Sequence, residues 1–256
     1  MRKIDTNPIQ WPKAVYWTKQ WNPWIGCQPV SPACEHCYAA TIARRFKLSF
    51  TPHRTKQNIP KNGVVFCGNM TDCFGDWVSE SDLDSFFSQM WKRDVRRGSE
   101  EPNRAHYLWL TKRVTRMVNY LRSAQNTHGD AGFFGMTAEN QELYNLRLAF
   151  FREAFGRGRK GWLSAEPLIG PIDLGLGCIP REDCPFGWVV VGCESGPQRR
   201  PCKMEWVEDI VSQCQEHHIP VFVKQLDLNG KCVTDINQFP ANLRIRQVPW
   251  SNKENT

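Results

Sequence analysis

No stretch of this sequence approaches the ~18 to 20 consecutive apolar residues of a membrane-spanning helix. The opening MRKIDTNPIQW also lacks the apolar core of a secretory signal. Internal repeats and low-complexity tracts are missing too, which excludes solenoid and fibrous architectures. These absences lead to the expectation of a soluble, cytoplasmic protein with no membrane partner. Eleven cysteines in 256 residues are too dilute, and odd in number, for a disulfide scaffold. A second C-x2-C pair is absent, and so is the H-x-E plus P-C-x-x-C signature of zinc deaminases.

What is present is a globular composition, 41% hydrophobic and 23% charged, enough for a sizeable core. Short apolar runs alternate with helical periodicities. AVYW (14–17), VVFCG (64–68), HYLWL (106–110), GFFGM (132–136), GWLSA (161–165), GWVVVG (187–192) and IPVFVKQ (219–225) read as strands. Helices are expected between them. One covers Cys37 to Lys47, and one is capped by Ser79 or Ser81, with Leu83, Phe86, Phe87, Met90 and Trp91 on one face. Three more carry Val114, Met117, Val118 and Leu121; Leu143, Leu146, Phe150 and Phe151; and Met204, Val207, Ile210, Val211 and Cys214.

Seven strands alternating with helices predict parallel β-α units in one domain over 1–256, with an extension from about 228 that wraps the outside. An open doubly wound sheet and a full or partial (β/α) barrel both fit. Polar residues at six strand exits favour the barrel, because its rim would gather Asn69 and Asp72, Lys112 and Arg113, Thr137 and Glu139, Ser164 and Glu166, Glu194, and Lys224 with Gln225.

The strongest local signal is Cys27-x6-Cys34-x2-Cys37, in a loop stiffened by Pro29 and Pro32. Three thiolates there suit a [4Fe-4S] cluster with one iron left open. Zinc held by Cys34 and Cys37 with Cys27 or His36 is a second reading, and unligated thiols a third. Cys67 and Cys193 read as buried thiols, and Cys178 and Cys184 with Cys202 or Cys73 as a weaker second metal site.

The loop WNPWIGCQPVSPACEHCYA resembles the phage-associated three-Cys-motif radical-SAM-like family. The resemblance continues through LTKRVTRM (110–117), GMTAENQ (135–141), SAEPLIGPIDL (164–174), VVVGCESGPQRRP (189–201) and VFVKQ (221–225). It implies a (β/α) barrel of radical-SAM type in which Cys27, Cys34 and Cys37 hold a [4Fe-4S] cluster. The open iron would bind S-adenosylmethionine, an external donor would supply an electron, and a 5′-deoxyadenosyl radical would abstract a substrate hydrogen. By the same resemblance, Tyr38, Gly68, Asn69, Met70 and Asp72 lie where the methionine moiety is held. Thr137, Glu139 and Asn140 lie where ribose hydroxyls are held, with capping of the next helix an equal reading for Asn140. Glu166, Glu194 and Lys112 are the candidate catalytic groups, and structural ion pairs to Lys112, Arg113 or Lys224 are the competing role of both carboxylates.

From His36 to Thr71 there is no acidic residue, while Arg44, Arg45, Lys47, Arg54, Lys56 and Lys61 carry positive charge. With Phe46, Phe50 and His53, this segment suits phosphates and bases, or is simply a solvated basic surface. The expected substrate is therefore a nucleic-acid base or modified nucleoside. One form of the reaction is isomerisation of an amino-acid-modified thymine in phage DNA, in the host cytoplasm. A radical enzyme acting on a peptide or small metabolite, and a non-catalytic zinc-stabilised nucleic-acid-binding module, are the alternatives.

Overall fold

The computed structural model describes residues 11, 13–97, 105–123, 132–156 and 159–250. Residues 1–10 of the opening segment read for a signal, and the last six residues of the expected extension, lie outside these.

The chain runs β1 (Lys19–Trp21), β2 (Trp24–Ile25), α1 (Tyr38–Arg45), β3 (His53–Arg54), β4 (Gly63–Cys67), α2 (Glu80–Arg97), β5 (Ala105–Thr111) and α3 (Val114–Ser123). It continues through β6 (Phe133–Thr137), α4 (Gln141–Phe151), β7 (Gly161–Ala165), β8 (Phe186–Gly192), α5 (Met204–Glu216), β9 (Val221–Leu228) and β10 (Lys231–Val233). Eight strands form one sheet in the order β1-β4-β5-β6-β7-β8-β9-β10, parallel except for the antiparallel β9–β10 pair. Because each parallel strand lies beside its predecessor in the sheet, the crossover helices gather on one face, and the sheet curls into a half-barrel. The fold is α/β and barrel-like, and the sheet stays open: β2 and β3 form a separate two-stranded sheet.

Alternation along the strands separates two cores. Val65, Cys67, Tyr107, Trp109, Phe134, Met136, Leu163, Val189 and Val191 face the helices, meeting Leu83, Phe87, Met90, Met117, Tyr144, Phe151 and Ile210. On the concave face, Val64, Phe66, Leu108, Trp162, Trp188, Val190 and Phe222 enclose Tyr16. Tyr16 makes edge contacts with Trp188 at 5.1 Å, Phe222 at 5.5 Å and Trp162 at 5.9 Å between ring centroids. Aromatic side chains thus fill the half-barrel at the lower strand ends and leave the upper ends to polar groups.

Two expectations change here. AVYW is not the first strand: β1 lies further on, and Tyr16 and Trp17 instead join the concave core. An apolar run marks burial, and here the burial is that of a plug rather than a strand. The phase of α4 also differs. Its buried residues are Tyr144, Arg147, Leu148 and Phe151, whereas Leu146 and Phe150 are exposed. Arg147 is buried because it has a carboxylate to neutralise, so the inward face of α4 contains a charge that a hydrophobic pattern does not register.

The helix starts follow their polar signals. Ser79 Oγ accepts from Asp82 N at 3.1 Å and Asn140 Oδ1 from Leu143 N at 3.0 Å. The segment after β10 protects the outer edge of β9, since Val223 N donates to Ile245 O at 2.8 Å and Gln247 N to Val221 O at 3.0 Å. Among the described residues no helix is long and apolar enough to cross a membrane.

Candidate functional site at the mouth of the half-barrel

The cysteine loop leaves β2 and closes over the upper strand ends. Gly26 adopts φ +95°, and a Cβ there would stand 2.5 Å from the Phe50 carbonyl oxygen. Only glycine lets the chain pass so close to its neighbour at that turn. Gly26 N donates to Met70 O at 3.0 Å, Thr71 Oγ1 donates to Gly26 O at 2.7 Å, and Tyr38 OH donates to Asn69 O. Asn22 completes the seam, its Nδ2 donating to Asn69 Oδ1 at 2.7 Å and its Oδ1 accepting from Met70 N at 2.9 Å. The residues expected to line one cofactor pocket, Tyr38 and 68–72, therefore do meet the cysteine loop. Gly68, at φ +78°, makes room for Cys73 Sγ, which would stand 2.5 Å from an added Cβ.

Cys27, Cys34 and Cys37 are half-exposed, unlike Cys67, Cys73, Cys184, Cys193, Cys202 and Cys214, which are buried. Burial pushes the Cys34 thiol up, but the Lys112 ammonium and hydrogen bonds from Val30 and Ser31 outweigh it and bring the thiol below its ordinary value. Burial, then the negative charge of Asp72, push Cys27 up, against Arg113, whose Nη1 lies 3.9 Å from its Sγ. Among the described residues no three His, Cys, Asp or Glu side chains are grouped tightly enough to hold one metal ion. A cubane cluster binds each cysteine through a different iron, so its ligands stand apart by nature.

Beside the loop lie three charge networks. Glu139, with no exposed surface, pairs with Lys112 Nζ at 2.6 Å and Arg147 Nη1 at 2.6 Å and accepts from Ser31 Oγ at 2.7 Å. Burial raises its carboxyl, but Lys112 and then Arg147 hold it below the usual carboxylate range. Asp72 is saturated in the same manner, accepting from Thr111 Oγ1 at 2.8 Å, Phe74 N at 3.0 Å, Lys112 N at 3.2 Å and Arg113 Nη1 at 3.2 Å. Glu194 takes a forked pair of bonds from Arg200, whose Nη1 also donates to Pro32 O at 3.1 Å in the cysteine loop. Against burial, which raises it, this arginine keeps Glu194 low.

Glu139, Glu194, Asp72 and Lys112 are thus braces of the mouth, and Asn140 is a helix cap. Thr137 is buried, with its carbonyl held by Arg147 Nη1 at 2.7 Å. Glu166 differs. It rises from the concave face, where Gly192 leaves room for it: a Cβ there would stand 2.9 Å from Glu166 Oε1. That oxygen lies 3.0 Å from Lys224 Nζ but has no aligned hydrogen bond, while Oε2 has only a long contact with Ser164 Oγ, 3.4 Å. Lys224 Nζ in turn stands 6.0 Å above the rings of Tyr16 and Trp17. Burial, then the negative charge of Glu166, push the Tyr16 hydroxyl up.

Sequence reasoning missed Arg147, Arg200 and Ser31 as members of the site. An arginine in the middle of an apolar helix face, and the doubled arginine of GPQRRP, were the available signals. In the basic segment, Arg54 is paired with Asp82 at 2.8 Å, whereas Arg44, Arg45, Lys47 and Phe46 are exposed around the end of α1.

Comparison with curated proteins and with solved structures gives no match. A family model described as a protein of unknown function matches residues 9–237. That span includes every strand of the sheet and the whole mouth, so the chain belongs to the DUF5131 family.

Proposed function

We propose that this chain is a radical S-adenosylmethionine enzyme acting on a nucleic-acid base or nucleoside. The observation that carries the reading is one juxtaposition. Three half-exposed cysteines on a single loop close over a half-barrel mouth whose interior presents Glu166 and Lys224. Cys27, Cys34 and Cys37 would hold a [4Fe-4S] cluster; Lys112 favours the thiolate that ligation needs at Cys34, and Arg113 offsets part of the burial and Asp72 charge that oppose it at Cys27. When bound, such a cluster supplies the electron that splits S-adenosylmethionine into methionine and a hydrogen-abstracting radical.

The chain's own residues have separate tasks in this reading. Arg200 fixes the loop backbone at Pro32, and Ser31 ties it to Glu139, so the cysteines are carried by the rigid strand ends. The Asn69 and Met70 backbone, stitched to Tyr38 and Asn22, forms the wall nearest the loop. The aromatic floor of Tyr16, Trp162 and Trp188 keeps water from entering below. Glu166 and Lys224 hold and position a polar substrate group, and the loosely bonded Glu166 oxygen is the acceptor best placed to take a proton. The exposed arginines near the end of α1 attract a phosphate backbone to the same rim.

The test is an anaerobic incubation of the iron- and sulfide-loaded, chemically reduced chain with S-adenosylmethionine and either duplex DNA carrying modified thymine or free nucleosides. The reading expects 5′-deoxyadenosine, formed faster with one of these substrates than without. Absence of 5′-deoxyadenosine from a loaded preparation overturns it. Stimulation by a peptide alone moves the substrate to the peptide alternative.

A further inference from the structure

The β8–β9–β10 end of the sheet holds a second pair of sulfurs that the proposed reaction does not use. Cys193 follows β8 directly, and Cys232 is the central residue of β10, opposite Asp227 on β9. Their sulfurs lie 3.7 Å apart, with the Cys193 thiol donating to Cys232. Cys193 is buried and Cys232 half-buried, so one sulfur is sheltered and its partner is reachable. Residues 39 apart in sequence are brought into contact by the strand order β8-β9-β10.

Arg199, Lys224 and Asp227 set the charge around the pair. Arg199 Nη2 is 3.6 Å from Asp227 Oδ1, too far for a good bond, and both Arg199 Nε and Asp227 Oδ1 are buried without a hydrogen-bond partner. The guanidinium is therefore only loosely claimed by its carboxylate and remains available to a nearby anion. The Cys193 hydrogen bond and then Arg199 and Lys224 lower the Cys232 thiol, against burial and Asp227. The same hydrogen bond, with burial, raises Cys193. This is the asymmetry of an attacking and a resolving thiol.

We propose that Cys193 and Cys232 form a redox-active dithiol that exchanges with low-molecular-weight disulfides. The Cys232 thiolate attacks one sulfur of the small disulfide, forming a mixed disulfide and expelling one thiolate. Cys193 then attacks the Cys232 sulfur and gives up its proton, and the second small thiolate departs. In total, two protein thiols become one disulfide while one small disulfide becomes two thiols. Cys193 immediately precedes Glu194, the carboxylate that grips Arg200 and through it the cysteine loop, so closure acts on the backbone that braces the mouth.

The experiment is independent of any cofactor. The full-length chain, reduced and kept free of oxygen, is treated with oxidised glutathione, quenched with alkylating reagent, digested and mapped by mass spectrometry without reduction. The proposal expects a Cys193–Cys232 cross-linked peptide as the main product, and Cys193→Ser to retain glutathione on Cys232. Main cross-links elsewhere, or both cysteines recovered alkylated while exposed Cys178 is glutathionylated, overturn it. Since the readout is a peptide mass, failure here leaves the radical reading intact, and failure of that reading leaves this one intact.

Discussion

Arg147→Met is the sharpest test of how the mouth is braced. Glu139 is wholly buried and balanced by two cations at 2.6 Å, and the substitution removes one while keeping an apolar side chain of similar length. Removing one partner of a buried ion pair costs ~3 to 5 kcal/mol, because the remaining charge stays desolvated. Lys112 and Ser31 still serve the other carboxylate oxygen, so the expected loss is at the lower end, ~3 kcal/mol. In a chain of this size that corresponds to a fall in Tm of roughly 6 to 12 °C. Urea unfolding followed by tryptophan fluorescence measures it. Adding Glu139→Gln to the variant removes the stranded charge and is expected to recover part of the loss. The pH dependence has a definite sign. Because the Glu139 carboxyl is held low in the folded chain, its contribution is complete above the ordinary carboxylate value of about 4.3 and disappears as pH falls through the depressed folded value. The wild-type advantage over Glu139→Gln should therefore shrink on acidification. A cost for Arg147→Met below ~0.5 kcal/mol, within the range of surface substitutions, would refute the brace.

Other consequences follow from the same geometry. Trp188→Ala empties the centre of the concave core, where Trp188 has no exposed surface and donates to Gln247 O at 2.8 Å; a loss of ~3 to 5 kcal/mol is expected in the same unfolding assay. Glu166→Gln and Lys224→Met should lower 5′-deoxyadenosine formation at least tenfold while iron content stays at the wild-type level, and normal turnover in both would remove the pair from the reaction. Arg44→Glu with Arg45→Glu should weaken DNA binding and flatten its salt dependence, the log–log slope falling by ~1 to 2 as up to two phosphate contacts are lost. Unchanged affinity across a salt series would mark that surface as merely solvated.

Much of the sheet could be read in advance because parallel strands buried on both faces are apolar without interruption. VVFC of β4 and WVVVG of β8 signal themselves in this manner. β1 did not, because its Lys19 and Gln20 are exposed on an edge, while the nearby run AVYW supplies the plug. The short β2–β3 pair has no local pattern at all; Trp24 and Ile25 pair with His53 and Arg54 only because the loop brings them together. Within the site, the cysteine spacing and the polar strand exits were visible, and the structure ties the cysteine loop to those exits through Ser31–Glu139 and Arg200–Pro32. Lys224 was among the ion-pair partners the sequence offered to Glu166, but which cation each carboxylate would meet was not visible, since that depends on groups distant in sequence. Arg147, Arg200 and Lys224 reach Glu139, Glu194 and Glu166 from α4, a loop and β9.

The proposed function requires one loop to supply three cysteine ligands to an iron–sulfur cluster. Its most direct test is the iron and sulfide content, with the electron paramagnetic resonance spectrum after reduction, of anaerobically prepared wild type beside Cys27→Ala, Cys34→Ala, Cys37→Ala and Cys178→Ala. Wild type and Cys178→Ala are expected to carry about four iron and four sulfide per chain and to show a reduced-cluster signal, with each loop variant losing most of both. A colourless wild-type chain carrying zinc, or iron that survives all three loop substitutions, would contradict it.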